Sequence, residues 1–283
     1  MTSASNPKSF YLFITGASRG LGRAFSLALA EKCSILDPSY LRICLLSRNS
    51  KSQDLLRTKE MLLNSCKSSK VVIETYNGVD LSDMSSVEEK IQNILNAEKL
   101  AAEHAGVQMY GKAILINNAG SLGSMERISQ IGENSFQIMK EAFDLNITSS
   151  LWLSSQFASE NIVPAESKVI VNVSSLMAVQ PVKSFGMYCA GKAARNMFHE
   201  VLAEEEDRNN ILVINYAPGP CDTDMQTEIC ESNTVDAEVS RFARKIKQDG
   251  SLVQVSQTAA KLADIVFDTN KVKSGAHIDF YDE

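Results

Sequence analysis

A tyrosine and a lysine stand four residues apart in YCAGK, Tyr188 to Lys192. On a helix that spacing puts both on one face. A phenol with an ordinary pKa of about 10 exchanges protons poorly at neutral pH. A neighbouring ammonium favours the phenolate and lowers that value. Such a tyrosine can trade a proton with a carbonyl or alcohol oxygen. Upstream, NVSSLMA carries Ser174 and Ser175, either of which could bond that oxygen or simply cap a turn. Asn146 sits inside the apolar helical run FDLNITSS, where a polar residue needs a reason. A satisfied core amide is the plain one.

A second constellation suits an anion. TGASRGLG follows the first apolar run and carries Gly16, Gly20 and Gly22. Glycines there let the backbone turn sharply and approach a pyrophosphate, and the following helix points its N-terminus at the charge. A ribose with a free 2′-hydroxyl is usually held by an acid at the end of the second strand. That run ends LLSRN, with Ser47 and Arg48 and no acid; Arg19 lies in the glycine turn. Two guanidinium groups suit a 2′-phosphate, because Arg binds phosphate as a planar fork. NADP(H) is therefore expected over NAD(H). Asp80, after the third apolar run, could cap the next helix, and Asn117-Asn118-Ala119-Gly120 reads as a turn.

The elements that must position these groups alternate. Strand-type runs fall at 10–15, 41–46, 70–76, 112–117, 167–173, 210–216 and 276–281. Helical patterns fall at 20–32, 85–104, 135–159, 187–206 and 256–267. Strands alternating with helices imply an α/β fold: a doubly wound, mostly parallel sheet covered on both faces. No repeat or linker divides the chain, so residues 1–283 form one domain. Residues 218–254 read as irregular, a segment that would lie over the ligand crevice. Within it, 228–252 is expected to be a lid or a surface insertion.

Composition narrows the class. The chain is 44% hydrophobic and 22% charged with a net charge of -6, and no basic cluster interleaves with aromatics. A nucleic-acid partner is not expected. No stretch approaches the roughly 20 apolar residues of a membrane span, and the start lacks a secretory pattern. The six cysteines show no metal-ligand spacing and read as reduced thiols of a cytoplasmic protein. The three histidines, His104, His199 and His277, are far apart, so neither a zinc site nor a Ser-His-Asp triad is expected.

In order along the chain, TGxxxGxG, Asp80-Leu81, NNAG, Asn146, the serine pair, YxxxK and the PGxxxT loop of APGPCDTDM resemble the short-chain dehydrogenase/reductase family. The resemblance covers about residues 10 to 225 and the closing strand. It implies a Rossmann-type fold and catalysis by Ser175, Tyr188, Lys192 and Asn146. Ser175 is preferred over Ser174 because in that family the corresponding serine lies thirteen residues before the tyrosine. Asn146 would hold a water in the proton relay. The cofactor NADP(H) would be held by Gly16, Ser18, Arg19, Gly20, Leu21 and Gly22, then Arg48 and Asn49, then Asp80, Leu81 and Asn118. Lys192 and the run Cys221, Asp222, Thr223, Asp224, Met225 and Gln226 complete that set.

The APGPCDTDMQ loop and the ending SGAHIDFYD narrow the resemblance to members that reduce pterin side-chain ketones. There a carboxylate corresponding to Asp279 anchors the ring, pairing with its guanidine-like edge. Alternation along a strand would otherwise turn Asp279 to water. Ser175, Leu176, Tyr188, Gly219 and Asp279 are thus the expected pterin contacts. The implied reaction is the last step of tetrahydrobiopterin formation. A homodimer through the helices of Asn146 and Tyr188 is also implied, with Met139, Phe143, Ile147 and Leu151 as either its face or core. Two rivals stand beside this reading: a promiscuous diketone or quinone reductase, and a non-catalytic sensor of NADP(H). An intact Ser175, Tyr188 and Lys192 set argues against the sensor.

Overall fold

A computed structural model describes residues 9–48, 51–66, 70–132, 135–206, 210–268 and 272–282. Seven parallel strands form one sheet in the order β3-β2-β1-β4-β5-β6-β7. They are β1 (Ser9–Thr15), β2 (Tyr40–Ser47), β3 (Val71–Asn77), β4 (Lys112–Asn117), β5 (Lys168–Val173), β6 (Ile211–Ala217) and β7 (His277–Asp279). The order reverses between β1 and β4, where a doubly wound sheet opens a crevice at its strand ends.

Alternation sorts each strand's side chains between two cores. Phe10, Leu12 and Ile14 of β1 pack against α1 (Gly20–Ile35), α2 (Ser52–Ser65) and α9 (Val255–Phe267). Tyr11 and Phe13 pack on the other face against α3 (Val87–His104), α5 (Ser149–Ala158) and α6 (Gly186–Glu205). Both faces of the central strands are buried, which explains their unbroken apolar character.

Three features depart from the expected elements. The helix expected over 135–159 is α4 (Ser135–Phe143), then a π-helical turn (Asp144–Thr148), then α5. The turn carries Asn146 and re-aims it within an otherwise continuous helix. Helix α2 was not anticipated; only Leu55, Thr58 and Leu62 of it are buried, a narrow stripe. The segment expected to be irregular over 218–254 carries α7 (Asp224–Glu231) and α8 (Ala237–Gln248). Asp236 caps α8 by accepting from the Glu238 N–H, and the helix buries just Ser240 and Ala243. So slight an inward stripe is hard to see among charged neighbours. With Ile229, Val235 and Leu122, Ala243 builds a third apolar cluster around Tyr188. The α7–α8 pair thus packs beside the tyrosine. Among the described residues, no helix is long and apolar enough to cross a membrane.

Candidate active site

The cofactor end is built by β1 and β4. Thr15 Oγ1 accepts from the Asn118 and Ala119 N–H groups at 3.0 Å each, locking NNAG to the end of β1. Asn118 Nδ2 donates to Thr15 O at 2.9 Å and to Gly16 O at 3.3 Å. Gly16 and Gly20 have φ of +65° and +53°, the left-handed region that favours glycine. A Cβ on Gly22 would lie 2.2 Å from Gly16 O, so the turn closes only around glycine.

Beside this turn lies a cleft of about 350 Å³. Gly16, Ser18, Arg19, Gly20 and Leu21 form one wall, with Arg48, Leu81 and Asn118 along the strand ends. Asp222, Thr223, Asp224 and Met225 face them. Arg19 and Arg48 are exposed at the rim, and Arg19 pairs with Asp224 across the glycine turn. Lys51 also lines the cleft and was not anticipated; its signal is a third cation close behind Arg48. A helix start, a glycine turn and three cations fit the phosphates of a nicotinamide dinucleotide.

Other expected residues lie elsewhere. Gly22 packs beneath the turn. Asp80 accepts from the N–H and hydroxyl of Ser82 at 3.0 and 2.7 Å; it closes a turn, and α3 starts only at Val87. Cys221 is buried with its thiol on Pro218 O, and burial pushes it up to about 12. The buried Gln226 donates to Ala243 O and ties α7 to α8. Asn49 lies outside the described residues.

The chemical end is built on α6. Tyr188 and Lys192 share a face, with the Lys192 Nζ 5.4 Å from the tyrosine ring centroid. That ammonium donates to Val173 O at 2.6 Å. Ser175 begins the next turn, accepting from the Met177 N–H at 3.1 Å and hydrogen-bonding Tyr188. Ser174 is turned inward and donates to Asn196 Oδ1 at 2.6 Å. The serine facing the tyrosine is therefore Ser175. Asn146 Oδ1 accepts from the Ser121 N–H and its Nδ2 donates to Ser121 O, both at 3.0 Å. Its amide pins the loop after β4. A Cβ on Gly120 would lie 2.9 Å from Asn146 Oδ1 and 3.9 Å from Lys192 Nζ, so this glycine leaves room for both groups.

The electrostatics differ from the simple tyrosine–lysine expectation. Burial pushes the Tyr188 phenol up to about 12, against the downward pull of Arg195 and the Ser175 hydrogen bond. Burial, and then Arg195, holds the Lys192 ammonium well below the lysine range. Arg195 joins these groups on α6, and spacing alone did not single it out. It lies seven residues after Tyr188, two helical turns along the same face.

At the substrate end, parallel register puts Asp279 beside Ala217 and His277 beside Asn215. His277 Nδ1 lies 2.9 Å from Asn196 Nδ2 on α6, and Asp279, two residues on, shares that face of the sheet. Its Oδ1 accepts from the Tyr281 N–H at 3.0 Å. No described residue hydrogen-bonds Oδ2. Leu176 is exposed beside Ser175. Gly219 has φ +76°, and a Cβ there would meet Val253 at 3.0 Å and Tyr281 at 3.5 Å, so packing of the C-terminal turn accounts for it.

Residues 11–234 match the sequence pattern of the short chain dehydrogenase family. The chain is 38% identical to a sepiapterin reductase of Mus musculus over 95% of both chains. It is 36% identical to the Xenopus tropicalis sepiapterin reductase, again over 95% of each. A benzil reductase of Bacillus subtilis, (S)-benzoin forming, is 30% identical over 84% of this chain and 86% of that one. Among solved structures, a short chain dehydrogenase/reductase from Saccharomyces cerevisiae superposes with a TM-score of 0.72 at 23% identity, covering 97% and 96%. An angucycline C-6 ketoreductase with bound NADP gives 0.71 at 19% identity, covering 98% and 95%.

Proposed function

The chain belongs to the short-chain dehydrogenase/reductase family and is an oxidoreductase, and we propose that it is an NADPH-dependent reductase of pterin side-chain ketones. The observation that carries this reading is Asp279. A partly buried carboxylate on the α6 face of the sheet, with one oxygen uncommitted to protein, suits the donor edge of a pterin. The likeness to sepiapterin reductases supports the same substrate class. The reaction is then reduction of sepiapterin and of 6-pyruvoyl-tetrahydropterin, the latter ending tetrahydrobiopterin formation.

NADPH, when bound, would supply a hydride for the carbonyl carbon. Ser175 donates a hydrogen bond to the carbonyl oxygen as negative charge grows there. Tyr188 passes its phenolic proton to that oxygen, so the product is an alcohol and the tyrosine is left as phenolate. Lys192, held by Val173 O, orients the nicotinamide ribose. Asn146 would position a water through which the phenolate regains its proton from solvent. Arg19, Arg48 and Lys51 at the cleft rim support a 2′-phosphate, hence NADP(H) over NAD(H).

The similarity to a benzil reductase favours a second reading, a broad diketone reductase using the same residues. Steady-state NADPH oxidation with sepiapterin and with benzil, in wild type and Asp279→Ala, separates them. The pterin reading expects sepiapterin turnover to collapse while benzil turnover survives. Equal behaviour of both substrates leaves the diketone reductase.

The reading also carries a cytoplasmic homodimer through α4, α5 and α6. Phe136, Met197 and Val201 are 81%, 60% and 47% exposed on these helices, and Met139, Phe143, Ile147 and Leu151 are half-buried. Light scattering of wild type and Met197→Glu tests the dimer.

A further inference from the structure

Three buried asparagines stand beneath the site and take no part in the reaction above: Asn172 on β5, Asn215 on β6 and Asn196 on α6. Parallel register sets Asn172 beside Asn215, and Asn215 beside His277 of β7. One polar row thus crosses the last three strands. The next row on the same face of the sheet holds Asp279.

The hydrogen bonds of this row can run in one direction only. Arg195 has no acceptor, so Asn172 must turn its Oδ1 to the Arg195 Nε, at 2.6 Å. Asn172 Nδ2 then donates to Asn215 Oδ1 at 2.8 Å and to Asn196 Oδ1 at 3.3 Å. Ser174 donates to the same Asn196 oxygen at 2.6 Å. What Asn196 offers His277 is therefore its Nδ2, 2.9 Å from the ring Nδ1. His277 Nδ1 accepts, and the ring carries its proton on Nε2. That nitrogen is buried and has no partner among the described residues.

A buried N–H without an acceptor costs stability, and an apolar side chain would avoid that cost. What this ring adds is the bond from Asn196, and its place gives that bond leverage. β7 spans three residues at the edge of the sheet, so its backbone ladder is short. Beyond Asp279, Lys261 of α9 holds the chain by donating to Phe280 O at 2.9 Å and to Asp282 O. Before Asp279, the tie is His277 to Asn196, on the helix that carries Tyr188. Through Ser174 the same amide also holds the residue next to Ser175.

We propose that His277 is a positioning residue that sets substrate specificity: by accepting from Asn196 it fixes Asp279 at one span from Tyr188 and Ser175. With its Nε2 buried, it acts through Asp279 rather than on the substrate. That span matters to a pterin, whose two ends engage the anchor and the proton donor together. It does not matter to a diketone, which engages the donor end alone. The inference rests on Asp279 as the pterin anchor, and Asp279→Ala tests that premise separately.

The experiment is steady-state reduction of sepiapterin and of benzil by His277→Leu, His277→Asn, Asp279→Ala and the His277→Leu/Asp279→Ala double variant. His277→Leu is expected to raise the sepiapterin KM about tenfold while the KM values for benzil and NADPH hold. His277→Asn, whose Oδ1 stands where the ring Nδ1 did, is expected to restore most of that loss. In the Asp279→Ala background, His277→Leu should add little, because the group it positions is gone.

Sepiapterin and benzil weakened alike, or neither weakened, overturns the proposal and leaves His277 a strut of the sheet edge. So does a His277→Leu loss that multiplies in full with that of Asp279→Ala. Should His277→Leu not fold, His277→Gln takes its place: its amide reaches the Nε2 position, leaves Asn196 unpaired, and is judged by the same outcomes. If Asp279→Ala keeps the wild-type sepiapterin KM, the anchor reading itself fails and the positioning role falls with it.

Discussion

Two arginines are buried against the same face of the sheet, and they are used in opposite ways. Arg42, on β2, forms a fork with Glu98 of α3: Nε to Oε2 at 2.6 Å and Nη2 to Oε1 at 2.9 Å. Tyr76 donates to the same carboxylate at 2.7 Å. The hydrogen bonds and charge of Glu98 outweigh burial and hold the Arg42 guanidinium above its ordinary range. Its charge is neutralised on the spot, and the pair staples a helix to a strand. Arg195 has only neutral acceptors, and burial brings it down to about 10. The comparison teaches that a buried arginine is structural when its partner cancels its charge. Where only carbonyl and amide oxygens meet it, the charge stays uncancelled and the fork ties several strand ends together.

The largest expected effect lies at the uncancelled end. Tyr188→Phe removes the proton donor, and kcat should fall by about 10²–10⁴ with NADPH binding kept. Stopped-flow turnover and cofactor fluorescence measure both. A variant keeping a tenth of wild-type turnover would break the contrast, because the α6 end would then hold no essential proton donor.

Glu98→Ala should behave in the reverse way. Leaving Arg42 buried and unpaired is expected to cost about 3–5 kcal/mol of stability by urea unfolding. The pH dependence of turnover should stay as in wild type at a temperature where the variant is folded. A displaced profile would mean that the two arginines are not separate devices.

Arg48→Asp sharpens the cofactor end. Replacing an exposed cation at the rim with an acid should raise the KM for NADPH about ten- to hundredfold and improve use of NADH. An unchanged ratio of the two cofactors would remove Arg48 from phosphate recognition and leave Arg19 and Lys51.

The smallest effect is a pH slope at His199, which joins Arg195 to the core. Its Nδ1 donates to Arg195 O at 2.7 Å, leaving Nε2 to accept from Ser154 at 2.8 Å. Burial holds this imidazole down to about 3 from an ordinary value of 6.5. The folded state therefore keeps it neutral while the unfolded chain protonates it. Its contribution is complete above pH 6.5 and lost as pH falls towards 3, at up to about 1.4 kcal/mol per pH unit. His199→Gln should flatten the stability profile by that slope between pH 6 and 4. Parallel profiles in the two proteins would count against a neutral folded-state imidazole.

Much of the fold is legible because its signals are local. Short apolar runs separated by periodic helices read directly as a parallel α/β sheet, and the observed strand bounds fall within a residue or two of the runs, β7 being shorter. What escapes notice has too little apolar surface to show a period. Helix α8 turns only Ser240 and Ala243 inward, so its charges dominate the reading. The π-helical turn at Asn146 leaves no mark in a hydrophobic pattern that continues on both sides of it.

The site divides in the same way. The glycine turn and YxxxK follow from short spacings, because one strand end or one helix turn sets those distances, whereas the choice of Ser175 came from the family resemblance. The sequence by itself determined the family of the chain, the chemistry Tyr188 is equipped for and the cations ready for a phosphate. Only the tertiary structure decided that Ser174 faces Asn196, that Gln226 bridges two helices, and that Asp279 shares a sheet face with α6. It also decided which buried arginine meets a carboxylate. Arg42 and Glu98 are 56 residues apart, and Arg195 gathers oxygens from two strands. Whether a charge is cancelled depends on what folding brings against it, and no spacing along the chain carries that distance.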